Sequence, residues 1–181
     1  MPARVSGSWT RDKLTYLERY ARAFMTAMAP KRDAGKWEEL VYIDLLAGPG
    51  LGIDRETGIE FDGSPIRIAK IVPAFDRLFF SDLNPKNIAT LRSRMSKSDL
   101  ERVDFHIGDC NAAARRIVGE ISRRTLGRAF IDPEGFEAKF RLFQALASKR
   151  IDVLFLFPSG IGIRRNLAAF AKQARSPMDD R

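Results

Sequence analysis

The chain has 181 residues, 45% hydrophobic and 30% charged, with 31 Lys and Arg against 23 Asp and Glu and a net charge of +8. Those values belong to one folded domain with a single substantial core, and they exclude a disordered or fibrous chain. One cysteine, Cys110, and one histidine, His106, leave no internal disulfide and no cysteine or histidine metal cage.

No apolar run approaches the roughly 20 residues of a membrane span, and Met1–Trp9 lacks the apolar centre of a signal peptide. A cytoplasmic protein with no membrane contact is expected.

In chain order, Thr10 is read as the cap of a helix over Arg11–Ala29, in which Leu14, Leu17, Ala21, Phe24, Met25 and Met28 recur at helical spacing. Val41–Leu46 is a first strand, apolar on both faces as parallel strands are. A polar stretch, Leu51–Gly63, follows, and Ser64-Pro65 reads as a capping serine and first-turn proline. Arg77–Ser81 is a second strand, Asn84-Pro85 opens a helix to about Met95, and Val103–Ile107 is a third strand. Asn111 is read as the cap of a helix to about Ser122, and Arg128–Ile131 is a fourth strand. A helix over Ala138–Ser148 leads to a fifth strand, Ile151–Phe157, and a terminal helix spans Ile163–Ala174. Regular alternation of strand and helix predicts an α/β, Rossmann-like, doubly wound parallel sheet. One domain over 1–181 is expected, with an N-terminal helix at 9–30 and the core at 41–158.

Charge is uneven along this plan. Residues 111–150 hold nine basic residues (Arg115, Arg116, Arg123, Arg124, Arg128, Lys139, Arg141, Lys149, Arg150) against four acids, a local +5. The excess points to a nucleic-acid partner; solvated helix faces give the same pattern.

In a doubly wound sheet the ligand lies at the carboxyl ends of the strands. Asp44, Asp82, Asp109 and Asp132 all fall there, beside Gly48, Gly50 and the loop Asp132-Pro133-Glu134-Gly135-Phe136, with Pro158-Ser159-Gly160 after the fifth strand. The strand Val41–Asp44 breaks into Gly48-Pro49-Gly50. A dinucleotide turn needs a third glycine where this chain has Ile53, and Pro49 removes a donor for pyrophosphate. The turn suits a nucleoside ligand without a pyrophosphate, such as S-adenosylmethionine.

Asp44-x-x-x-Gly48-x-Gly50, an acid ending the second strand, Gly108-Asp109 and Asp132-Pro133 look like the ordered motifs of class I S-adenosylmethionine-dependent methyltransferases. YIDLLAGPG, DGSPIRIA, FIDPEGF and DVLFLFPSGIGIRRNL, preceded by TRDKLTYLERYARAFMTAM, resemble the three-Cys-motif partner protein family (TcmP) over roughly residues 9 to 167. The resemblance implies a methyltransferase-like fold with sheet order 3-2-1-4-5. It implies that Gly48 and Gly50 admit the methionine part of the cofactor and that Asp44 holds its ammonium or a nearby water. Asp82 would accept both ribose hydroxyls and Asp109 the adenine amino group; a turn acid and a helix cap are the plain alternatives.

Asp132, Pro133 and Phe136 stand where amino-methylating enzymes carry an acid or amide, prolines and a base-stacking aromatic. Glu134-Gly135 departs from that pattern and moves Phe136 one position along. Two readings follow: a methyltransferase acting on an amino group, with nucleic acid as substrate, or a catalytically silent module that binds another protein.

Other motifs carry less. Gly58-x-x-x-x-Gly63-Ser64 has phosphate-loop spacing without its lysine, Cys110 reads as a small buried hydrophobe, and His106 as a packed or surface residue. Class I methyltransferases add two strands after the fifth, so a chain ending at Arg181 is expected to be a truncation or a fragment. Ile151–Phe157 is then an open edge, a template for a homodimer or a protein partner.

Overall fold

In this computed structural model, residues 3–7 and 9–157 are described. The expected terminal helix and Pro158-Ser159-Gly160 lie outside the described residues.

Strand β1 (Arg4–Ser6) precedes helix α1 (Trp9–Asp33), which buries Leu14, Leu17, Ala21, Phe24, Met25 and Ala29. The helix passes through Pro30, so the expected stop at Ala29 comes one turn early. A proline removes one amide donor, and in the last turn that loss is small beside the buried stripe. Gly35, at φ +79°, ends the helix, where Lys36 donates its amide to the Lys31 carbonyl at 3.0 Å.

The core sheet comprises β2 (Glu39–Asp44), β5 (Arg77–Asp82), β6 (Val103–Ile107), β7 (Thr125–Ile131) and β8 (Arg150–Phe155). Every pairing is parallel and the order is β6-β5-β2-β7-β8, which is the 3-2-1-4-5 order expected. Alternation along each strand divides the core. Leu40, Tyr42, Leu78 and Phe80 pack under α1, α2 (Ser64–Ala69) and α3 (Pro85–Arg94), while Val41, Ile43, Phe79 and Ala129 pack under α5 (Cys110–Glu120) and α6 (Phe140–Ala147). The chain is therefore a three-layer α/β fold of the Rossmann-like doubly wound kind.

Three features differ from the expectation. The stretch 51–63 is an antiparallel hairpin, β3 (Leu51–Asp54) with β4 (Glu60–Asp62), to which β1 adds in parallel as a second sheet. The cap of α5 is Asp109, whose carboxylate accepts the amides of Asn111 and Ala112, and not Asn111. Gly63 is the cap position of α2, so Ser64 has its hydroxyl free for another partner.

β8 is an edge of the five-stranded sheet among the described residues. Arg128 was counted with the basic surface, yet it is 2% exposed, with its guanidinium over the Tyr20 ring at 3.3 Å.

Candidate functional site

The turn after β2 carries the site, and its two glycines face opposite ways. Gly48 has φ +65° and open space where a Cβ would sit; its amide donates to Asp82 Oδ2 at 2.9 Å. Gly50 has φ +80°, and a Cβ there would meet Leu91 Cδ1 at 2.7 Å and Ile66 Cγ1 at 3.1 Å. Gly50 therefore serves packing under α2 and α3. A side chain at Gly50 would strike those two helices, whereas the face of Gly48 is open.

The aspartates divide in the same manner. Asp44 is fully buried, accepting the Ser64 hydroxyl at 2.6 Å and the Leu46 amide at 3.2 Å. Burial raises its pKa to about 7, against the lowering effect of those two hydrogen bonds, with the charges of Asp132 and Asp82 raising it further. Asp44 pins the turn to α2 from behind and does not reach the cleft surface.

Asp82 does line the cleft. Its Oδ1 accepts the Asn84 amide at 2.8 Å and the Asn87 side-chain amide at 3.1 Å, and its Oδ2 the Gly48 amide. A carboxylate oxygen accepts about two hydrogen bonds, so one acceptor position remains on Oδ2 for a ligand hydroxyl, where the resemblance expected two.

Asp109 is engaged on both oxygens, Oδ1 by the Asn111 and Ala112 amides and Oδ2 by the Asn111 side chain at 3.1 Å. Burial pushes its pKa up, and these bonds hold it below the ordinary carboxylate value. It caps α5, is exposed and lies outside the cleft lining, and its Oδ2, with one hydrogen bond, keeps an acceptor position.

The fourth aspartate has an unexpected neighbour. Asp132 Oδ2 accepts from Lys13 Nζ on α1, and the two side chains are only 15% and 11% exposed. Arg4 of β1 approaches the same oxygen at 4.0 Å and pairs with Glu134 at 2.9 Å. Pro133 is buried and Phe136 is 40% exposed. Lys13 and Arg4 were not among the expected site residues. The available signal was faint: Lys13 borders the buried stripe at the end of α1 nearest the strand termini.

Together these groups line a cleft of about 370 Å³ at the carboxyl edge of β2, β5 and β7, within the size range of small-molecule sites. Gly48 and Pro49 form one wall, Asp82 and Asn87 another, and Asp132, Glu134 and Glu137 the rim facing Arg4. An inner pocket of about 40 Å³, lined by Lys13, Thr10 and Ser64, shares Arg4, Gly48, Pro49 and Asp132 with it. That inner space suits a water, not a nucleoside. Four lining carboxylates against Arg4 and the adjacent Lys13 make the field negative, which favours a cationic ligand.

Other candidates behave as structural residues. Cys110 is buried with its thiol pKa pushed up by burial, and His106 is half-buried with its pKa lowered by burial. Arg115, Arg116, Arg123 and Arg124 are exposed, although Arg124 donates to the Gly35 carbonyl at 2.6 Å. No helix of the described residues is long and apolar enough to cross a membrane, and no cluster of metal-ligating side chains occurs among them.

No family model and no curated protein matches the chain. Among solved structures, it is similar to a Legionella pneumophila protein described as DUF519, with 19% identity and a TM-score of 0.47 over 65% of this chain and 53% of that one. A conserved hypothetical protein of Streptococcus pyogenes aligns with 18% identity and a TM-score of 0.43, over 75% and 81% of the two chains. The chain spans about half the length of the first of these. The fold assignment rests on strand order and layering.

Proposed function

We propose that the cleft binds S-adenosylmethionine, and that the chain is a class I methyltransferase-like protein of the three-Cys-motif partner kind whose acceptor is an amino group, on nucleic acid. The observation that carries this reading is the negative cleft beside an open, positive-φ glycine turn at the carboxyl edge of a parallel sheet. A cofactor with a sulfonium and an ammonium suits Asp82, Asp132, Glu134 and Glu137 as lining groups. Gly48 leaves room for close approach of the backbone, and the free position on Asp82 Oδ2 takes one ribose hydroxyl.

The bound cofactor supplies an electrophilic methyl group, and the chain supplies alignment and exclusion of water. In this reading Asp132 and the Pro133 carbonyl accept hydrogen bonds from the acceptor amine. The buried free Cys110 suits a reducing compartment, and we read the protein as cytoplasmic.

Titration calorimetry with S-adenosylmethionine tests the reading. Saturable heat is expected, with affinity about tenfold weaker in Asp82→Ala; the absence of heat and of a thermal shift at millimolar cofactor would falsify it.

One observation favours the silent partner module. The Asp132 oxygen that would orient an acceptor amine is already held by Lys13. If cofactor binds but no methyl group is transferred to oligonucleotides by wild type or by Lys13→Met, the module reading replaces the enzymatic one.

A further inference from the structure

A helix turns about 100° per residue, so Trp9, Lys13, Tyr16 and Tyr20 share one narrow stripe of α1. Three of these four are exposed aromatics, Trp9 at 66%, Tyr16 at 64% and Tyr20 at 48%. Large aromatic rings concentrated on one helix face mark a binding surface more often than scattered apolar side chains do. The fourth member, Lys13, reaches Asp132, so the stripe begins at the cleft and runs away from it.

Tyr20 is backed rather than loose. The Arg128 guanidinium lies 3.3 Å from its ring centroid, and Nε and Nη1 of that buried arginine find no hydrogen-bond partner among the described residues. Asp152 of β8 meets Nη2 at 3.3 Å. A cation fixed under one face of the ring leaves the other face to stack.

Charge is graded along the same helix. Arg19, beside Tyr16, is exposed and without an ion pair among the described residues; Asp12 is the acid on that flank. Arg22, further round, is paired with Glu18 at 2.9 Å. Beyond Tyr20 the stripe continues through the small, exposed Ala27 to Lys31, about 16 Å further along the axis, which is exposed and likewise has no ion pair among the described residues. Other cations gather at that end. Arg124 donates to the Gly35 carbonyl at 2.6 Å, and Arg150 lies 5.7 Å from the Trp37 ring centroid. Arg32 at that end is neutralised by Asp33 and Asp76, and the exposed Lys31, Lys36, Arg124 and Arg150 outnumber Glu38, so a basic excess remains to draw a polyanion.

Ring spacing decides what kind of partner fits. Trp9 and Tyr16 stand about 10 Å apart along the axis and Tyr16 and Tyr20 about 6 Å, a ladder of rings rather than a continuous apolar patch. Sites for single-stranded nucleic acid combine rings on which successive bases stack with cations along the backbone, and this face carries both.

We infer that this face of α1 is a stacking platform for single-stranded nucleic acid, with Trp9, Tyr16 and Tyr20 against the bases and Arg19 and Lys31 on the phosphates. It deepens the nucleic-acid acceptor proposed above by giving that strand a track leading to the cleft. Its binding is measured without cofactor, so failure of the cofactor reading leaves it standing and its own failure leaves the cofactor reading standing.

The test is fluorescence anisotropy of labelled oligothymidylate and oligouridylate, with a duplex of equal length, on the full chain. Single strands of either sugar are expected to bind, and the duplex about tenfold or more weakly. Trp9→Ala with Tyr16→Ala should lower single-strand affinity about tenfold or more, while Trp9→Phe with Tyr16→Phe retains binding. Both positions are solvent-exposed, so folding is unaffected and circular dichroism checks that. Arg19→Ser with Lys31→Ser should flatten the slope of log affinity against log salt by about 0.7 per phosphate contact.

Unchanged affinity in the alanine pair, equal binding of duplex, or no binding at all overturns the proposal. A dimer in light scattering that dissociates in the alanine pair, with no nucleic acid bound, makes the face an interface between copies and likewise overturns it.

Discussion

The turn after β2 holds two glycines two residues apart and lies between two aspartates, and each pair splits between the interior and the cleft. Gly50 and Asp44 look inward, to Leu91 and Ile66 in one case and to Ser64 in the other. Gly48 and Asp82 look outward and are tied to each other across the mouth of the site. Residue types that one motif places together thus do different work. The inner pair fixes where the turn sits, and the outer pair leaves it usable by a ligand.

The sharpest way to break that division is the pH dependence of stability. Asp44 is buried with a folded-state pKa of about 7, above the ordinary 3.8. Between these values the folded state keeps a proton that the unfolded state gives up, so stability falls as pH rises from about 4 to about 7 and is flat above. The full shift corresponds to as much as about 4 kcal/mol. Denaturation midpoints across that window should decline in wild type and level off in Asp44→Asn; equal slopes would place Asp44 in contact with solvent.

Gly50→Val comes next. A branched side chain at φ +80°, pressed against Leu91 and Ile66, should cost about 3 kcal/mol of stability, measured by urea unfolding. An undiminished midpoint with lost cofactor binding would return Gly50 to the ligand side.

The outer pair should show the reverse. Asp82→Ala is expected to weaken S-adenosylmethionine by about tenfold, through loss of one charge-assisted hydrogen bond and of the Gly48 anchor, in calorimetry. Larger losses from changing Asp109 than from changing Asp82 would make the cap of α5 the main cofactor contact. The smallest effect belongs to the exposed arginines of the 111–150 region. Neutralising Arg115, Arg116, Arg123 and Arg124 should flatten the salt slope of nucleic-acid binding by at most about 0.7 to 0.9 for each phosphate contacted. No change in slope would return those four to ordinary solvated surface.

The central sheet was legible because five strand-like runs, four of them meeting an aspartate at or just past the carboxyl end, alternate with helical stretches. The strand order required the resemblance as well. The hairpin over 51–63 escaped because its strands are only four and three residues long and carry glycine and acids, a composition shared with loops. At the site, a column of aspartates at strand ends was readable, but which of them faces a ligand depends on neighbours far away in sequence. Ser64 claims Asp44, and Lys13 claims Asp132 across 119 positions. Arg128 misled for a related reason: a basic residue in a basic region reads as surface, and only packing reveals Tyr20 and Phe24 around it.

The hairpin also has a closed base. Gly63 donates its amide to the Gly50 carbonyl at 2.9 Å, and Leu51 pairs with Asp62, so the excursion leaves and rejoins the core at one point. A loop with such a pinched neck can be lengthened or exchanged without pulling on the turn beneath it. β1 rests on β3, however, and β1 carries Arg4, which meets Glu134 and approaches Asp132 at the rim of the cleft. The excursion is therefore a mounting bracket: a graft that keeps β3 retains Arg4 at the rim, and one that replaces β3 sets it loose while leaving the core sheet intact.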